Sequence, residues 1–299
     1  MRLRLPQQLQ RTCVLALCAW GLGLAWAQPP AARLAPETVQ VPVGAWSSAP
    51  KPLQAWLYRP RTGQAARPAV VMVHGCGGAY GKDGDLNARH RMWGEYLAAH
   101  GYAALMLDSF GARGIDQICT SRHRERSIKE ADRVGDAYAA QAYLRSRSDV
   151  DPQRIAILGW SHGGGVVLDT ISRPVPAPDR FAAAVSFYPG CTARNAHADT
   201  FHPYRDLLLV IGEADDWTPA APCKALAATV AARGEPMTIV TYPNTYHDFD
   251  NPALKAARVR KEVPNGVHPG EGVTVAPNPQ AREDAQQRVL DFLKVHLGP

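Results

Sequence analysis

Apart from one short apolar segment near its start, the chain lacks long hydrophobic runs. None reaches the roughly 20 consecutive apolar residues that a helix needs to cross a bilayer, so a polytopic membrane protein is excluded. Charge of one sign is missing too. Thirty-three Lys and Arg stand against 27 Asp and Glu, a net of +6 in 299 residues, and that balance names no partner. The densest basic cluster, Arg122-His123-Arg124-Glu125-Arg126, is interrupted by glutamate and has no nucleic-acid-binding pattern around it, so it reads as a solvated face. Cysteine is scarce, and neither Cys-x-x-Cys nor Cys/His at metal spacing occurs among the six cysteines; a zinc site is not expected. Internal repeats are absent as well, and nothing marks a second domain.

The short apolar segment has a different reading. Arg2, Arg4 and Arg11 precede the apolar stretch Cys13 to Leu24, and Ala25-Trp26-Ala27 then offers a small-x-small cleavage site before Gln28. This is the pattern of a secretory signal peptide. A lipoprotein anchor at Cys18 fits poorly, because Leu17 stands where a small residue is expected. The expectation is a signal peptide over residues 1–27 and one domain over 28–299, exported to the periplasm or secreted, with no membrane attachment after cleavage. Cleavage takes three basic residues and lowers the net charge from +6 to +3. It also leaves four cysteines, Cys76, Cys119, Cys191 and Cys223. An even number in an exported chain argues for two disulfides with three possible pairings.

Hydrophobic runs alternate with helical patterns along the rest of the chain. Val39 to Val43 and Leu53 to Tyr58 suggest an antiparallel hairpin at a sheet edge. Continuous apolar runs follow at 69–73, 102–107, 155–158, 182–187, 207–211 and 237–242, the mark of strands buried on both faces in a parallel sheet. Helices are expected over 89–100, 128–146, 220–233 and 280–296, and directly after Ser161; residues 251–279, rich in Pro and Gly, read as a long loop. The class is α/β, a mostly parallel central sheet flanked by helices.

The motif around which this organisation turns is Gly159-Trp160-Ser161-His162-Gly163, a Gly-x-Ser-x-Gly between a buried strand and a helix. That context gives the motif meaning: a sharp turn raises the serine Oγ above the sheet edge, and the flanking positions cannot carry a Cβ. Ligands of such sheets bind at the carboxyl ends of strands. Those ends carry His74-Gly75-Cys76, Asp108, Ser161, Tyr188, Asp215 and His247. Ser161 cannot attack a carbonyl without a base, and His247, in a polar turn after the last strand, is the candidate. Asp215 is preferred to Asp216 as the acid that orients it, because Gly212-x-x-Asp215-x-x-x-Pro219 sets it in the turn after its strand. Serine, acid, histidine is the order found on α/β-hydrolases. Backbone N–H groups of Cys76 and His162 are expected to form the oxyanion hole. Cys76 as a thiol nucleophile lacks a base of its own, and a disulfide suits it better. Asp108 is expected to cap a turn, and Asp248 and Asp250 to organise the histidine loop.

On the segments His74 to Gly78, Asp108-Ser109-Phe110, Gly159 to Gly164, Phe187 to Gly190, Gly212 to Pro219 and Tyr246 to Phe249, the chain resembles the dienelactone hydrolase family of α/β-hydrolases, and its exported members in particular. The resemblance covers nearly all of the mature chain in order. It implies the triad Ser161, Asp215 and His247 with no metal or organic cofactor, and a small-molecule ester as partner rather than nucleic acid. Members named for the dienelactone reaction carry a cysteine where this chain has Ser161, which favours general carboxylic esters as substrates. Within this resemblance the expected pairings are Cys76 with Cys119 and Cys191 with Cys223. Trp160, Tyr188 and Trp217 are expected to line a pocket open enough for small or medium esters; the alternative is that they pack beneath the loops. A monomer is expected. A peptidase of the prolyl-oligopeptidase type shares the catalytic fold, but the several hundred residues of its propeller are missing here. A non-catalytic binding protein should show a damaged triad, and none is visible.

Overall fold

The computed structural model describes residues 35–61 and 66–298; the expected signal peptide lies outside them. These residues form one compact unit. In chain order its elements are β1 (Glu37–Val41), β2 (Leu53–Tyr58), β3 (Arg67–Val73), α1 (Ala88–Ala99), β4 (Ala103–Leu107), α2 (Glu130–Arg145), β5 (Val150–Trp160), α3 (His162–Ile171), β6 (Ala183–Phe187), α4 (Thr192–Ala196), β7 (Leu207–Gly212), α5 (Ala220–Ala232), β8 (Met237–Tyr242), β9 (Arg258–Arg260), β10 (Val273–Val275) and α6 (Pro279–Leu297).

Eight strands make one sheet in the order β1-β2-β4-β3-β5-β6-β7-β8. β1 and β2 pair antiparallel at the edge, and every pairing from β4 to β8 is parallel. This is the expected mostly parallel sheet with an N-terminal hairpin. The apolar runs explain it: Val70–Val73, Ala103–Leu107, Ile155–Trp160 and Leu207–Ile211 are all buried, which requires cover on both faces. Helix α1 packs against β2 and β4, and α6 against β5, β6 and β7; α2 lies against β3 and β5 and against α3. The core therefore runs the length of the sheet, and the strand ends are left to carry loops.

Three features depart from expectation. Ile128, inside the expected helix, is buried but precedes α2, which starts at Glu130 and buries a stripe through Val134, Ala137, Ala140 and Leu144. Strand β5 starts at Val150 and runs on through Asp151 and Pro152, and its register against β3 shifts between Arg67 and Ala69. A proline that cannot donate to the ladder accounts for an irregularity there. Third, residues 251–279 are not a bare loop. They contain the antiparallel ribbon β9–β10, seated over the strand ends on a second, small hydrophobic core. Val263, Val273 and Val275 pack there with Phe110, Ile118, Trp217 and the Cys76–Cys119 pair.

Both disulfides form as expected, Cys76–Cys119 and Cys191–Cys223, closing separations of 43 and 32 residues. The pairs tie neighbouring strand-end turns to the segments above them. Removing Cys191–Cys223 by double substitution to Ala should cost about 3–4 kcal/mol from loop-closure entropy, measured by urea unfolding. A loss under about 1 kcal/mol would mean that the unfolded chain is already constrained there.

Candidate active site

Ser161 sits between β5 and α3 with φ 54° and ψ −116°, a conformation that costs a non-glycine residue of order 1–3 kcal/mol. Its N–H donates to Phe187 C=O at 2.9 Å and its own C=O accepts from Gly165 N–H at 2.9 Å, so the turn is pinned on both sides. The flanking glycines are sterically required. A Cβ on Gly159 would run into the Gly163 carbonyl, and one on Gly163 into the Val73 carbonyl of the neighbouring strand. The serine is thus held at the first turn of α3, where unpaired helix N–H groups gather.

His247 follows β8, and Asp215 follows β7. The His247 Nδ1 lies 2.7 Å from Asp215 Oδ2. Asp215 Oδ1 accepts the N–H groups of Trp217 at 2.9 Å and Thr218 at 2.8 Å, and Thr218 Oγ1 donates to Oδ2 at 3.1 Å. The carboxylate oxygen at this position accepts from His247 and sets the imidazole proton on Nδ1, leaving Nε2 as an acceptor. The imidazole is held between the rings of Tyr188 (4.5 Å) and Trp217 (4.7 Å). Asp216 does other work: its carboxylate accepts from Thr274 N–H (2.8 Å) and Oγ1 (2.7 Å) and anchors the ribbon.

Ser161 and His247 open onto one cavity of about 210 Å³, together with Gly75, Cys76, Trp217, Lys82, Arg89 and the ribbon residues Arg258, Arg260 and Glu262. Arg260 lies over the Trp217 ring at 5.2 Å. The ribbon wall carries no sequence signal, because three-residue strands in a Pro/Gly-rich stretch have no readable period. Trp217 lines the cavity as expected. Trp160 and Tyr188 do not: both are fully buried, because their polar tips are drawn inward to one carboxylate. Asp250 accepts from Trp93 Nε1 (2.8 Å), Trp160 Nε1 (3.0 Å) and Tyr188 OH (2.5 Å). It thereby joins the histidine loop to the residue just before Ser161. Arg89, which the sequence did not point to, donates to Tyr188 OH (3.0 Å) and pairs with Asp248. Asp108 caps its turn through the N–H groups of Phe110 (2.9 Å) and Gly111 (3.0 Å). The His162 ring points away from the cavity, its Nδ1 2.8 Å from Arg133.

Comparison with known proteins identifies the family. Residues 53–297 match the family model described as the dienelactone hydrolase family. The chain belongs to that family. Among curated relatives it is 36% identical over 138 residues to the quorum-quenching protein AidA of Acinetobacter baumannii, spanning 45% of this chain and 39% of that one. It is 30% identical over 224 residues to an uncharacterized Mycobacterium tuberculosis protein, covering 69% of this chain and 71% of the relative. Among solved structures, a Klebsiella pneumoniae protein described as a dienelactone hydrolase superposes with TM-score 0.65 at 17% identity, over 87% of this chain and 98% of that one. Thermogutta terrifontis esterase 2 superposes with TM-score 0.62 at 20% identity, over 91% and 98%. The fold is accordingly that of the α/β-hydrolases.

Three buried imidazoles lie under this dienelactone hydrolase family site. His74, His90 and His162 are held well below the ordinary value of 6.5, by burial first and then by Arg133 for His74 and His162 and by Arg89 for His90. They stay neutral in the folded chain, whereas unfolding lets each take a proton below about pH 6.5. Protons bound more tightly by the unfolded state mean that stability falls as pH drops through that value, by up to about 1.4 kcal/mol per unit for each group. Between pH 7 and pH 5 the unfolding free energy should fall by about 4–6 kcal/mol in urea titrations. A flat profile would show that these imidazoles are already charged in the native state.

Proposed function

We propose that the chain is an exported serine hydrolase that cleaves carboxylic esters of small or medium size through an acyl-enzyme, with Ser161 as nucleophile, His247 as general base and Asp215 as its orienting acid. The observation that carries this reading is the strained turn holding Ser161 over the same cavity as an imidazole bonded to a buried carboxylate. His247 Nε2 takes the Ser161 proton as Oγ adds to the ester carbonyl, and returns it to the departing alkoxide. Water then repeats the sequence on the acyl-enzyme, releasing the acid. The negative oxygen of each tetrahedral intermediate falls to the N–H groups of Cys76 and His162, each worth about 3–4 kcal/mol in transition-state stabilisation.

Serine in place of the cysteine of the dienelactone-cleaving members supports general esters over dienelactone. The cavity suits short acyl groups, since about 210 Å³ is below the range of roughly 300–1,000 Å³ of drug-sized pockets. The two disulfides support export, since such bonds persist in oxidising compartments.

Turnover of p-nitrophenyl acetate should fall by about 10⁴-fold or more in Ser161→Ala and His247→Ala. Asp215→Asn should lower it by about 10³–10⁴-fold through the wrong imidazole tautomer. Asp216→Asn should leave kcat within about tenfold, because Asp216 holds the ribbon and not the base. Ester turnover undiminished in Ser161→Ala would overturn the reading, and p-nitroanilide turnover at the ester rate would favour a peptidase.

A further inference from the structure

One buried cation is unused by the chemistry proposed above. Arg133, on the first turns of α2, is fully buried. Its Nη2 donates to the His74 carbonyl at 2.9 Å and its Nη1 to His162 Nδ1 at 2.8 Å, and its guanidinium lies 4.9 Å from the Phe110 ring centre. Among the described residues no carboxylate stands within ion-pair distance of it; Asp136, Glu130 and Asp108 act on it only from further away. Burial presses the guanidinium down to about 10, so it is still a cation at neutral pH. A buried charge without a contacting counter-ion carries a desolvation cost that an apolar residue of the same volume would not. Packing alone therefore gives no reason for an arginine here.

What it holds supplies the reason. The N–H of Ser109 donates to His74 Nε2 at 3.2 Å, which puts the His74 proton on Nδ1, 2.8 Å from the Gly75 carbonyl. That carbonyl belongs to the same planar peptide unit as the Cys76 N–H, so fixing the one aims the other in the opposite direction. On the far side, accepting from Arg133 puts the His162 proton on Nε2, facing Glu130 Oε2 at 3.7 Å. The ring of His162 is thereby anchored at the residue whose own N–H heads α3. One planar, two-pronged donor spans both turns, a task that suits guanidinium geometry and not a single ammonium.

We propose that Arg133 is a positioning residue that clamps the two halves of the oxyanion hole, through His74 to the Cys76 N–H and through the His162 ring to the His162 N–H. The inference rests on the serine-esterase reading. Its effect is on the tetrahedral intermediate and not on substrate binding, so its loss lowers kcat and leaves KM in place.

The test uses the mature protein with Arg133→Met, Arg133→Lys and His162→Ala, assayed with p-nitrophenyl acetate and with a phenylboronic acid as the tetrahedral analogue. Misplacing a donor whose removal costs 10²–10³ should lower kcat of Arg133→Met by about 30–100-fold, with KM within about threefold and boronate affinity falling in parallel with kcat. Arg133→Lys should stay within about threefold of Arg133→Met in kcat, because one ammonium cannot serve both turns. His162→Ala, which keeps its N–H and loses the anchor, should lose about tenfold in kcat alone; if Arg133→Met does not fold, this variant and Arg133→Lys carry the test. Arg133→Lys and His162→Ala both within twofold of wild-type kcat, or wild-type boronate affinity in the variants, would overturn the clamp. Labelling of the wild type by a fluorophosphonate separates the two failures. An unlabelled wild type overturns the serine reading itself, whereas a labelled wild type with unimpaired variants overturns the clamp alone.

Discussion

The constraint on which the site depends is the approach of the β5–α3 turn to β3. Gly163 lies against the Val73 carbonyl and Gly159 against Gly163 itself, with no room for a Cβ at either position. This contact forces Ser161 into positive φ and lifts it off the sheet. It also depends on everything below it, because only a sheet packed on both faces can hold a strained turn without relaxing. The parallel strands β3, β5 and β6 supply that support through continuous buried runs. The geometry of Ser161 is thus a property of the core as much as of the motif.

Around this turn the chain places more buried polar groups than a packed core would choose. Asp250 gathers three donors from α1, β5 and the end of β6, and Arg133 reaches from α2 to two strand ends. Each carries a desolvation cost, offset in part by the hydrogen bonds it makes, although Arg133 Nε has no partner among the described residues. The two networks divide the work: Asp250 ties the histidine loop to the strand that bears Ser161, and Arg133 ties the glycine-rich turn after β3 to the start of α3. The loops at the strand ends are thereby tied to one another and to the sheet by buried hydrogen bonds.

Much of this rim was legible in the sequence. The strand ends followed from apolar runs, and the serine turn from two glycines in a strand-to-helix context. Asp215 followed from its turn pattern, and the disulfide pairs from the resemblance to the family. The parts that were not legible share a physical cause. Trp160 and Tyr188 read as pocket aromatics because their position after a strand is visible, whereas the direction of a side chain is set by a partner 62 or 90 residues away in sequence, here Asp250. Arg133 looks like any charge on an amphipathic helix until its burial is known. The β9–β10 ribbon is held by Asp216 and by a small core whose residues come from stretches far apart in the chain, contacts that leave no local period to read.

The central claim is that one hydroxyl in this molecule, that of Ser161, is a nucleophile poised by the surrounding rim. It is tested most directly by treating the folded protein with one equivalent of a diethyl phosphate ester such as paraoxon and mapping the adduct by peptide mass spectrometry. A single diethylphosphoryl group on the Ser161 peptide, absent after urea unfolding, is the expected result. Modification spread over several serines and tyrosines, or equal labelling of folded and unfolded chain, would contradict it.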